Sequence, residues 1–277
     1  MAETKKTKQP KQGKKNKKEA TRWLYPESVN IDYQSVLFSS LDDWFKKINE
    51  QLSQAQIPLD FLSSISTLSY LSANFGADAI NELAGFFKQV AISNDGFWVK
   101  MVKIGTNTDL APAEVNYAPG DSVIVGDTTG IDVYRSEPWL REMQTTWVQE
   151  NTQLIKSIPK QHLDDVAKIT QQAVDEGWRI EKLRKAIQDR FHVPENRAVL
   201  IATDQIGKAN SAVSMQRMRD YGIRKYKWRG AMDSRERKEH VDREGEEFDI
   251  DHPPEDGPPG YPIRCRCWPE PVWDIAA

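Results

Sequence analysis

Apolar side chains recur at intervals of three and four residues through most of the chain, and this period constrains the fold more than any other feature of the sequence. Such spacing places the apolar side chains on one face of an α-helix. Helices are therefore predicted over residues 33–52, 59–72, 78–92, 138–157, 163–176, 180–191 and 194–221. Because an apolar helical face must be covered, the first three helices are expected to form an antiparallel bundle.

Prolines and glycines predict where the later helices begin and end. Pro159 is expected to end the helix that starts near Pro138, because proline lacks the N–H that an interior helical position donates. Gly177 is expected to end the next helix, since glycine readily adopts the left-handed conformation found after helix C-termini. Pro194 suits the first turn of the last long helix.

Two polar residues, Asp204 and Gln205, fall within the last predicted helix, close to small residues that permit close helix approach. Polar side chains in such a place need hydrogen-bond partners if they are buried. The pair is interpreted either as part of a functional site or as a polar network that fixes the packing of the helices.

Residues 105–138 break the helical period with asparagine, proline and glycine clusters, which are typical of turns. Two short β-like runs, Ser122–Val125 and Ile131–Tyr134, are predicted in this segment. Neither glycine cluster has the spacing of a phosphate-binding loop, so no nucleotide site is predicted. The chain is thereby divided into a basic arm, an N-terminal helical region, a connection, a central helical region and a compact C-terminal unit, over residues 1–22, 23–104, 105–138, 139–222 and 223–277.

Residues 1–22 hold nine Lys/Arg and two acidic residues, whereas the whole chain has a net charge of −3. The arm therefore carries +7, and by subtraction the remaining chain carries −10. The arm is predicted to be disordered, because it has too little apolar surface to offset chain entropy. Such an arm suits the phosphates of double-stranded DNA or serves as a solubilising tail. The candidate DNA-binding residues are Lys5, Lys6, Lys8, Lys11, Lys14, Lys15, Lys17, Lys18 and Arg22.

Membrane and secreted proteins are not favoured by the sequence. No apolar run approaches the ~18 residues of a membrane-spanning helix, and no apolar stretch follows the lysine-rich start as it does in a secretory signal. Two cysteines at Cys-x-Cys spacing do not form a disulfide framework, so a reducing intracellular setting is expected. Neither a membrane nor a small-molecule substrate is expected as a partner.

The stretch 226–229 predicts a strand, because its residues alternate between two kinds of side chain. Tyr226 and Trp228 would lie on one face, and Lys227 and Arg229 on the other. Interleaved basic and aromatic residues are typical of some nucleic-acid-binding surfaces. The same alternation is also typical of any strand with one buried face.

The residues after this strand predict a short helix. Asp233 is expected to cap it with Glu236 as the reciprocal partner, and His240 would return to the face of Asp233 two turns later. An Asp–His pair of this kind could orient a proton-transfer site. His162 and His192 stand apart in the sequence and are expected to be structural.

Cys265 and Cys267 lie two residues apart, so on an extended segment both sulfurs point to the same side. A zinc site is predicted in which His240 joins the two thiolates. Its fourth ligand is expected to be Asp233, Asp242 or His252. A disulfide would need a sharply bent backbone. The alternative is that both thiols pack as small apolar groups beneath Trp268, with Arg266 pointing outward.

The same C-terminal segment closely resembles the signature of the phage Mu F-like family of minor head proteins, which act in head morphogenesis. In this family a tryptophan-containing strand precedes an Asp-x-Arg-x-Arg-x-x-His box, a glycine–phenylalanine turn, a proline-rich loop and Cys-Arg-Cys. The matching residues are Trp228, Asp233, Arg235, Arg237, His240, Gly245, Phe248, Cys265, Arg266 and Cys267. Upstream, the stretch around Asp204 and Gln205 and residues 150–159 are also similar to the family.

The resemblance implies a minor capsid protein of a tailed phage, present in the virion near the portal vertex and in the host cytoplasm during assembly. Its partners would be the portal protein and other head proteins, and its roles head morphogenesis and DNA packaging or ejection. It implies no enzymatic reaction. The alternative is a metal-dependent nucleic-acid-processing enzyme that uses Asp233, His240, Cys265 and Cys267.

The expected fold class is α+β and mainly α-helical. Helical N-terminal and central stalk regions are expected to precede a small C-terminal α/β unit, which the Cys-x-Cys segment closes.

Overall fold

The computed structural model describes residues 25–106 and 133–273 of the chain. The helices in these residues are α1 (Glu27–Gln54), α2 (Pro58–Leu71), a 3-10 turn (Ser72–Asn74), α3 (Ala77–Thr106), α4 (Val133–Ser136), α5 (Trp139–Asp175), α6 (Ile180–Gln188), α7 (His192–Asp220) and α8 (Lys238–Asp242). The strands are β1 (Lys225–Arg229), β2 (Glu247–Asp249) and β3 (Trp268–Pro271). This mainly helical fold with one small antiparallel sheet confirms the expected α+β class. The basic arm and the β-like run Ser122–Val125 lie outside the described residues.

The apolar period of the first helix does place its side chains in a core. Leu37, Leu41, Trp44 and Ile48 of α1 are almost fully buried. α1 packs against α3 and α7, and α2 packs against α5, so that a single hydrophobic cluster draws on most of the long helices. Each buried side chain of leucine size stabilises such a core by ~1.5–3 kcal/mol. The predicted boundaries between the regions of the chain stay predictions.

The third predicted helix is longer than the sequence indicates, since α3 continues from residue 92 to Thr106. The polar stretch after residue 92 looks like a helix end, but Asn94 is buried. Its amide donates to Asn210 Oδ1 at 2.8 Å and to Ser214 Oγ at 2.7 Å, both on α7. Because α7 supplies hydrogen-bond partners for Asn94, α3 continues past this residue. The last turns of α3 then reach the C-terminal sheet through Trp98.

The prediction that Pro159 ends a helix is wrong, because α5 runs through it without interruption. An interior proline costs ~3 kcal/mol. Here the proline is buried, and apolar side chains on both sides of it, Ile155 and Ile158 before and Val166 after, are also buried in the main core. Packing on both sides of the proline outweighs the lost hydrogen bond, so two predicted helices form one.

The second predicted β-like run is also wrong where the structure describes it. Its last residues, Val133 and Tyr134, belong to the short helix α4. The Tyr134 hydroxyl accepts a hydrogen bond from the Gln144 amide, and the Arg141 guanidinium lies 5.3 Å from the centre of the Tyr134 ring. These contacts with α5 hold the segment in a helical turn.

A buried arginine joins three parts of the fold. Arg217 on α7 is 1 % exposed and makes two hydrogen bonds to the Glu137 carboxylate, at 2.8 and 2.6 Å. The same guanidinium donates to Asn94 Oδ1 on α3 at 2.7 Å. Removing one partner of a buried ion pair costs several kcal/mol. The network therefore fixes how α3 and the start of α5 meet α7.

Glycines end α5 and α7 as expected. Gly177 and Gly222 both have positive φ, +64° and +72°. The Trp178 N–H donates to the Ala173 carbonyl, and the Gly177 N–H to the Val174 carbonyl, which is the Schellman pattern. No helix within the described ranges is both long and apolar enough to cross a membrane.

The sheet has the strand order β2-β1-β3, with both pairs antiparallel. In its centre Tyr226 and Trp228 are fully buried, whereas Lys225 is exposed, so the predicted alternation of β1 is confirmed. Tyr226 pairs with Phe248 on β2, and Trp228 pairs with Pro269 on β3. Together with the ends of α3 and α7, the buried face forms a second hydrophobic cluster that contains both cysteines.

Replacing Gly76 with alanine is expected to destabilise the fold by about 2–4 kcal/mol, from left-handed strain and from steric overlap. Gly76 has φ +69°, and a Cβ there would lie 2.4 Å from Ile155 Cγ2 on α5. The matched control is Gly85→Ala, since Gly85 lies inside α3 with nothing within 4 Å of an added Cβ. It is expected to stabilise by about 0.5–1 kcal/mol. Chemical denaturation of both variants measures the difference, and equal effects would contradict this packing.

Candidate metal centre

Two elements bring three reactive side chains together. α8 carries His240, whose ring packs edge-on against Trp228 of β1 with ring centroids 5.1 Å apart. The loop that enters β3 carries Cys265 and Cys267, and β3 pairs directly with β1. Both sides of the cluster are therefore built on the same central strand.

The loop that carries the cysteines is seated on α7. Ser211 Oγ donates to the Pro259 carbonyl at 2.6 Å. The next residue, Gly260, has φ +87°, and a Cβ there would lie 3.1 Å from Ser211 Cβ. Only glycine fits this close approach without strain. The contact with α7 thus fixes the position of the loop that brings the two sulfurs close to His240.

The three ligand atoms lie within 4.8 Å of one another. His240 Nδ1 is 3.5 Å from Cys265 Sγ and 3.4 Å from Cys267 Sγ. A tetrahedral zinc ion with the usual bond lengths separates such nitrogen and sulfur ligands by about 3.5 Å. All three residues are buried, with exposures of 2 %, 8 % and 6 %. The donor set and its spacing therefore fit a four-coordinate zinc or a related soft metal ion.

The far side of the His240 ring faces a carboxylate. Nε2 lies 3.2 Å from Asp256 Oδ2, and Arg243 donates to both oxygens of Asp256 at 2.8 and 3.0 Å. Burial would raise the pKa of Asp256, but the hydrogen bonds from Arg243 and His240 outweigh it and lower that pKa. An ionised Asp256 can accept a hydrogen bond from Nε2–H, and in that tautomer the lone pair of Nδ1 is directed at the sulfurs. A histidine oriented by a carboxylate is the usual arrangement of metal ligands.

The two thiols do not ionise independently. A hydrogen bond from the Cys267 thiol lowers the pKa of Cys265 to about 6, with help from the Gly260 N–H and in spite of burial. The same hydrogen bond, burial and the Glu236 carboxylate raise the pKa of Cys267. The pKa values of the two thiols are thus shifted in opposite directions. A divalent ion would stabilise both thiolates at once.

Asp233 does not lie beside His240, which corrects the predicted capped helix. Asp233 and Glu236 lie in a turn, and α8 begins only at Lys238. The Asp233 carboxylate accepts from the Arg235 N–H at 2.9 Å and from the Arg266 guanidinium. The hydrogen bonds from Arg266 and then from Arg235 lower the pKa of Asp233. Arg266 does point outward, but the expected Asp–His pair is not formed.

The other two expected fourth ligands also lie away from the cluster. His252 is exposed and lies 3.4 Å from Asp249, and Asp242 is exposed at the end of α8. The sequence predicted Glu236 as a capping residue, but its Oε1 lies 2.9 Å from Cys267 Sγ. Sequence reasoning missed Asp256. Glu236 stands four residues before His240, a spacing that would have suggested proximity on a helix. Asp256 lies in the proline-rich loop and gives no local signal.

The remaining residues of the family signature support the turn and the loop. Gly245 has φ +79°, and its N–H donates to the Trp228 carbonyl at 2.8 Å. Phe248 packs against Trp228, and Arg237 donates to the Ile263 carbonyl. Arg235 is largely exposed, with a nitrogen 3.6 Å from Asp233.

Asp204 and Gln205 lie in a hydrogen-bond network that joins α5, α7 and the cysteine loop. Gln205 Oε1 accepts from Asn151 on α5 at 3.2 Å. Asp204 pairs with Lys208 at 2.8 Å and accepts from the Arg264 N–H at 3.3 Å. The two residues thus link the helical core to the loop that carries the sulfurs.

The basic face of β1 is largely matched by acidic neighbours. Arg229 bonds to both Glu244 and Glu270, and Lys227 lies 3.6 Å from Glu247. This neutralisation disfavours the nucleic-acid interpretation of the strand. The candidate DNA-binding residues from Lys5 to Arg22 lie outside the described part of the chain.

Two further histidines lie in structural settings, as expected. His162 is buried in the main core, where Nδ1 accepts from the Trp44 indole at 3.1 Å. Burial lowers the pKa of His162 to about 4, so it is neutral at physiological pH. His192 Nδ1 lies 2.8 Å from the Asp189 carbonyl at the start of α7.

Comparison with known proteins gives one partial relative and one family. An uncharacterized protein of Haemophilus influenzae is 38 % identical to this chain over 150 residues, which make up 53 % of this chain and 34 % of that protein. The chain thus matches about one third of the length of this relative. No solved structure matches the chain.

The family match covers the part of the chain that builds the candidate metal centre. The model of the phage Mu protein F like family matches residues 164–269, from within α5 to the start of β3. This stretch includes β1, α8 and all three clustered ligands. Residues 164–269 of this chain are therefore similar to the phage Mu protein F like family, which confirms the resemblance inferred from the sequence.

Proposed function

We propose that this chain is a minor head protein of a tailed phage that acts in head morphogenesis. The observation that carries the proposal is the family match over residues 164–269. That stretch contains the long helix α7, the strands β1 and β2 and the Cys-x-Cys loop, which contribute to one buried cluster. The role is structural: the chain contributes a folded unit to the assembled head.

The proposed partners are the portal protein and other head proteins, and the proposed location is the virion near the portal vertex. Before assembly the chain is in the host cytoplasm. The negative charge of the chain outside the arm, −10 by subtraction, suits a protein-binding surface better than a DNA groove. DNA packaging and delivery follow as roles of a protein at that vertex.

A zinc ion held by His240, Cys265 and Cys267 is proposed as a structural cofactor of the C-terminal unit. Two thiolates and an imidazole are the ligands that structural zinc prefers. Their buried position joins α8 to the loop before β3, two short elements with little apolar surface of their own. Metal binding would contribute directly to the stability of this unit.

The enzyme alternative has less support from the site. It needs Asp233 beside His240, but Asp233 is bonded to Arg266. It also needs a substrate to reach the metal ligands, which are all buried. Cleavage of plasmid DNA with Mg²⁺, Mn²⁺ or Zn²⁺, abolished by His240→Ala, would restore this alternative.

The chain is expected to be incorporated into phage heads with the portal protein. Host cells produce the phage that encodes the chain, empty heads are purified from them, and the amount of each head protein is measured. Full-length chain and chain without residues 1–22 are both expected in the particles, because docking is assigned to the folded part. If the folded arm-less chain is missing from the heads, the arm is the docking element.

The arm is proposed to contact the phosphates of double-stranded DNA, on the basis of its nine Lys/Arg. Duplex affinity is then expected to fall with salt at a log–log slope of roughly −5 to −8, and to be insensitive to sequence. The matched control replaces the nine basic residues of the arm by glutamine at unchanged length. An affinity that is the same in low and moderate salt, or in the control, leaves only a solubilising tail.

A further inference from the structure

We propose that Glu236 is the fourth protein ligand of the metal centre, through its Oε1 atom. The inference rests on the proposed zinc site of His240, Cys265 and Cys267. Four protein ligands make a closed site, which is characteristic of structural zinc, whereas three leave a position open for water or substrate. The identity of the fourth ligand thus decides what kind of site this is.

Glu236 is placed against one of the cluster sulfurs. Its Oε1 lies 2.9 Å from Cys267 Sγ. Carboxylate oxygen and thiolate sulfur are both ligands of zinc. A divalent cation beside Cys267 would therefore attract the Glu236 carboxylate as well as the two sulfurs.

The backbone before Glu236 is shaped around its carboxylate. The Ala231 N–H donates to Oε1 at 3.2 Å, and the Met232 N–H donates to Oε2. Met232 has φ +52°, a left-handed conformation that residues other than glycine rarely adopt. At Gly230 a Cβ would lie 2.5 Å from Oε1, so a side chain there would displace the carboxylate. This turn holds the Glu236 carboxylate beside Cys267.

Coordination requires a small rotation of the Glu236 side chain. Glu236 is not among the residues whose ligand atoms all lie within 4.8 Å of one another. Oε1 makes the longer of the two backbone hydrogen bonds and faces Cys267, so it is the oxygen that turns inward. Oε2 keeps the Met232 N–H. A carboxylate bound to metal through one oxygen and to the backbone through the other is a common ligand arrangement.

The other nearby carboxylates have different partners. Asp256 lies on the far nitrogen of His240, where it orients the ring. Asp233 is bonded to Arg266. Among the described residues these positions leave Glu236 as the carboxylate that contacts a clustered sulfur.

The test measures Zn²⁺ and Co²⁺ binding to the full chain by competition with a chromophoric chelator, and records the visible spectrum of the Co²⁺ form. Glu236→Gln keeps the shape of the side chain but leaves one oxygen, which can accept from only one of the two backbone N–H groups, and puts an NH2 that cannot bind metal in place of the other oxygen. It is expected to lower Zn²⁺ affinity at least about 10-fold, since even partners outside the ligand sphere cost 10–100-fold. It is also expected to change the Co²⁺ spectrum, because a ligand changes. Glu239→Gln, an exposed neighbour on α8, is the matched control and is expected to bind like the unaltered chain.

The outcomes separate the role of Glu236 from the zinc site itself. If the unaltered chain binds Zn²⁺ and Glu236→Gln matches it in affinity and Co²⁺ spectrum, the inference is overturned and the three-ligand zinc site stands. Weaker binding with an unchanged Co²⁺ spectrum also overturns it, because Glu236 would then act outside the ligand sphere. If the unaltered chain binds neither metal, the proposed zinc site fails with it. Circular dichroism of Glu236→Gln verifies its fold, and Glu236→Asp, with a shorter carboxylate, is expected to bind with intermediate affinity.

Discussion

The C-terminal unit depends on one contact above all, the approach of two cysteine sulfurs to the Nδ1 atom of the buried His240. Three polar groups in an apolar cluster are costly unless each has a partner. Asp256 supplies the partner of the far ring nitrogen, and Glu236 that of Cys267. Two thiols, an imidazole nitrogen and a carboxylate oxygen therefore lie close together, and these are groups that bind a zinc ion.

The cluster is positioned by helices that belong to the main body of the protein. α7 carries Ser211, on which the cysteine loop rests, and it also carries the buried Arg217. α3 reaches from the main core to the sheet and places Trp98 beside β1. The candidate metal centre and the helical core are therefore coupled through shared helices, and loss of one is expected to weaken the other.

Local chemistry made part of this structure predictable. The turn at Gly177 and the alternation of Tyr226 and Trp228 follow from neighbouring residues in the sequence. The grouping of the two cysteines with His240 follows from the side chains that zinc prefers as ligands. Pro159 and Asn94 misled the prediction because distant helices satisfy or outweigh what they disrupt. The partners of His240 could not be predicted, since Asp256 is placed by a loop whose path depends on packing against α7.

Native mass spectrometry of the full chain, purified without chelator, tests the central claim most directly. The account predicts one zinc ion per chain, absent from Cys267→Ser and His240→Ala, and a fall in the unfolding temperature when chelator removes the ion from the unaltered chain. A metal-free chain whose unfolding temperature is the same in zinc and in chelator would contradict it. The cysteines would then be buried thiols beneath Trp268, and His240 a hydrogen-bonded core histidine.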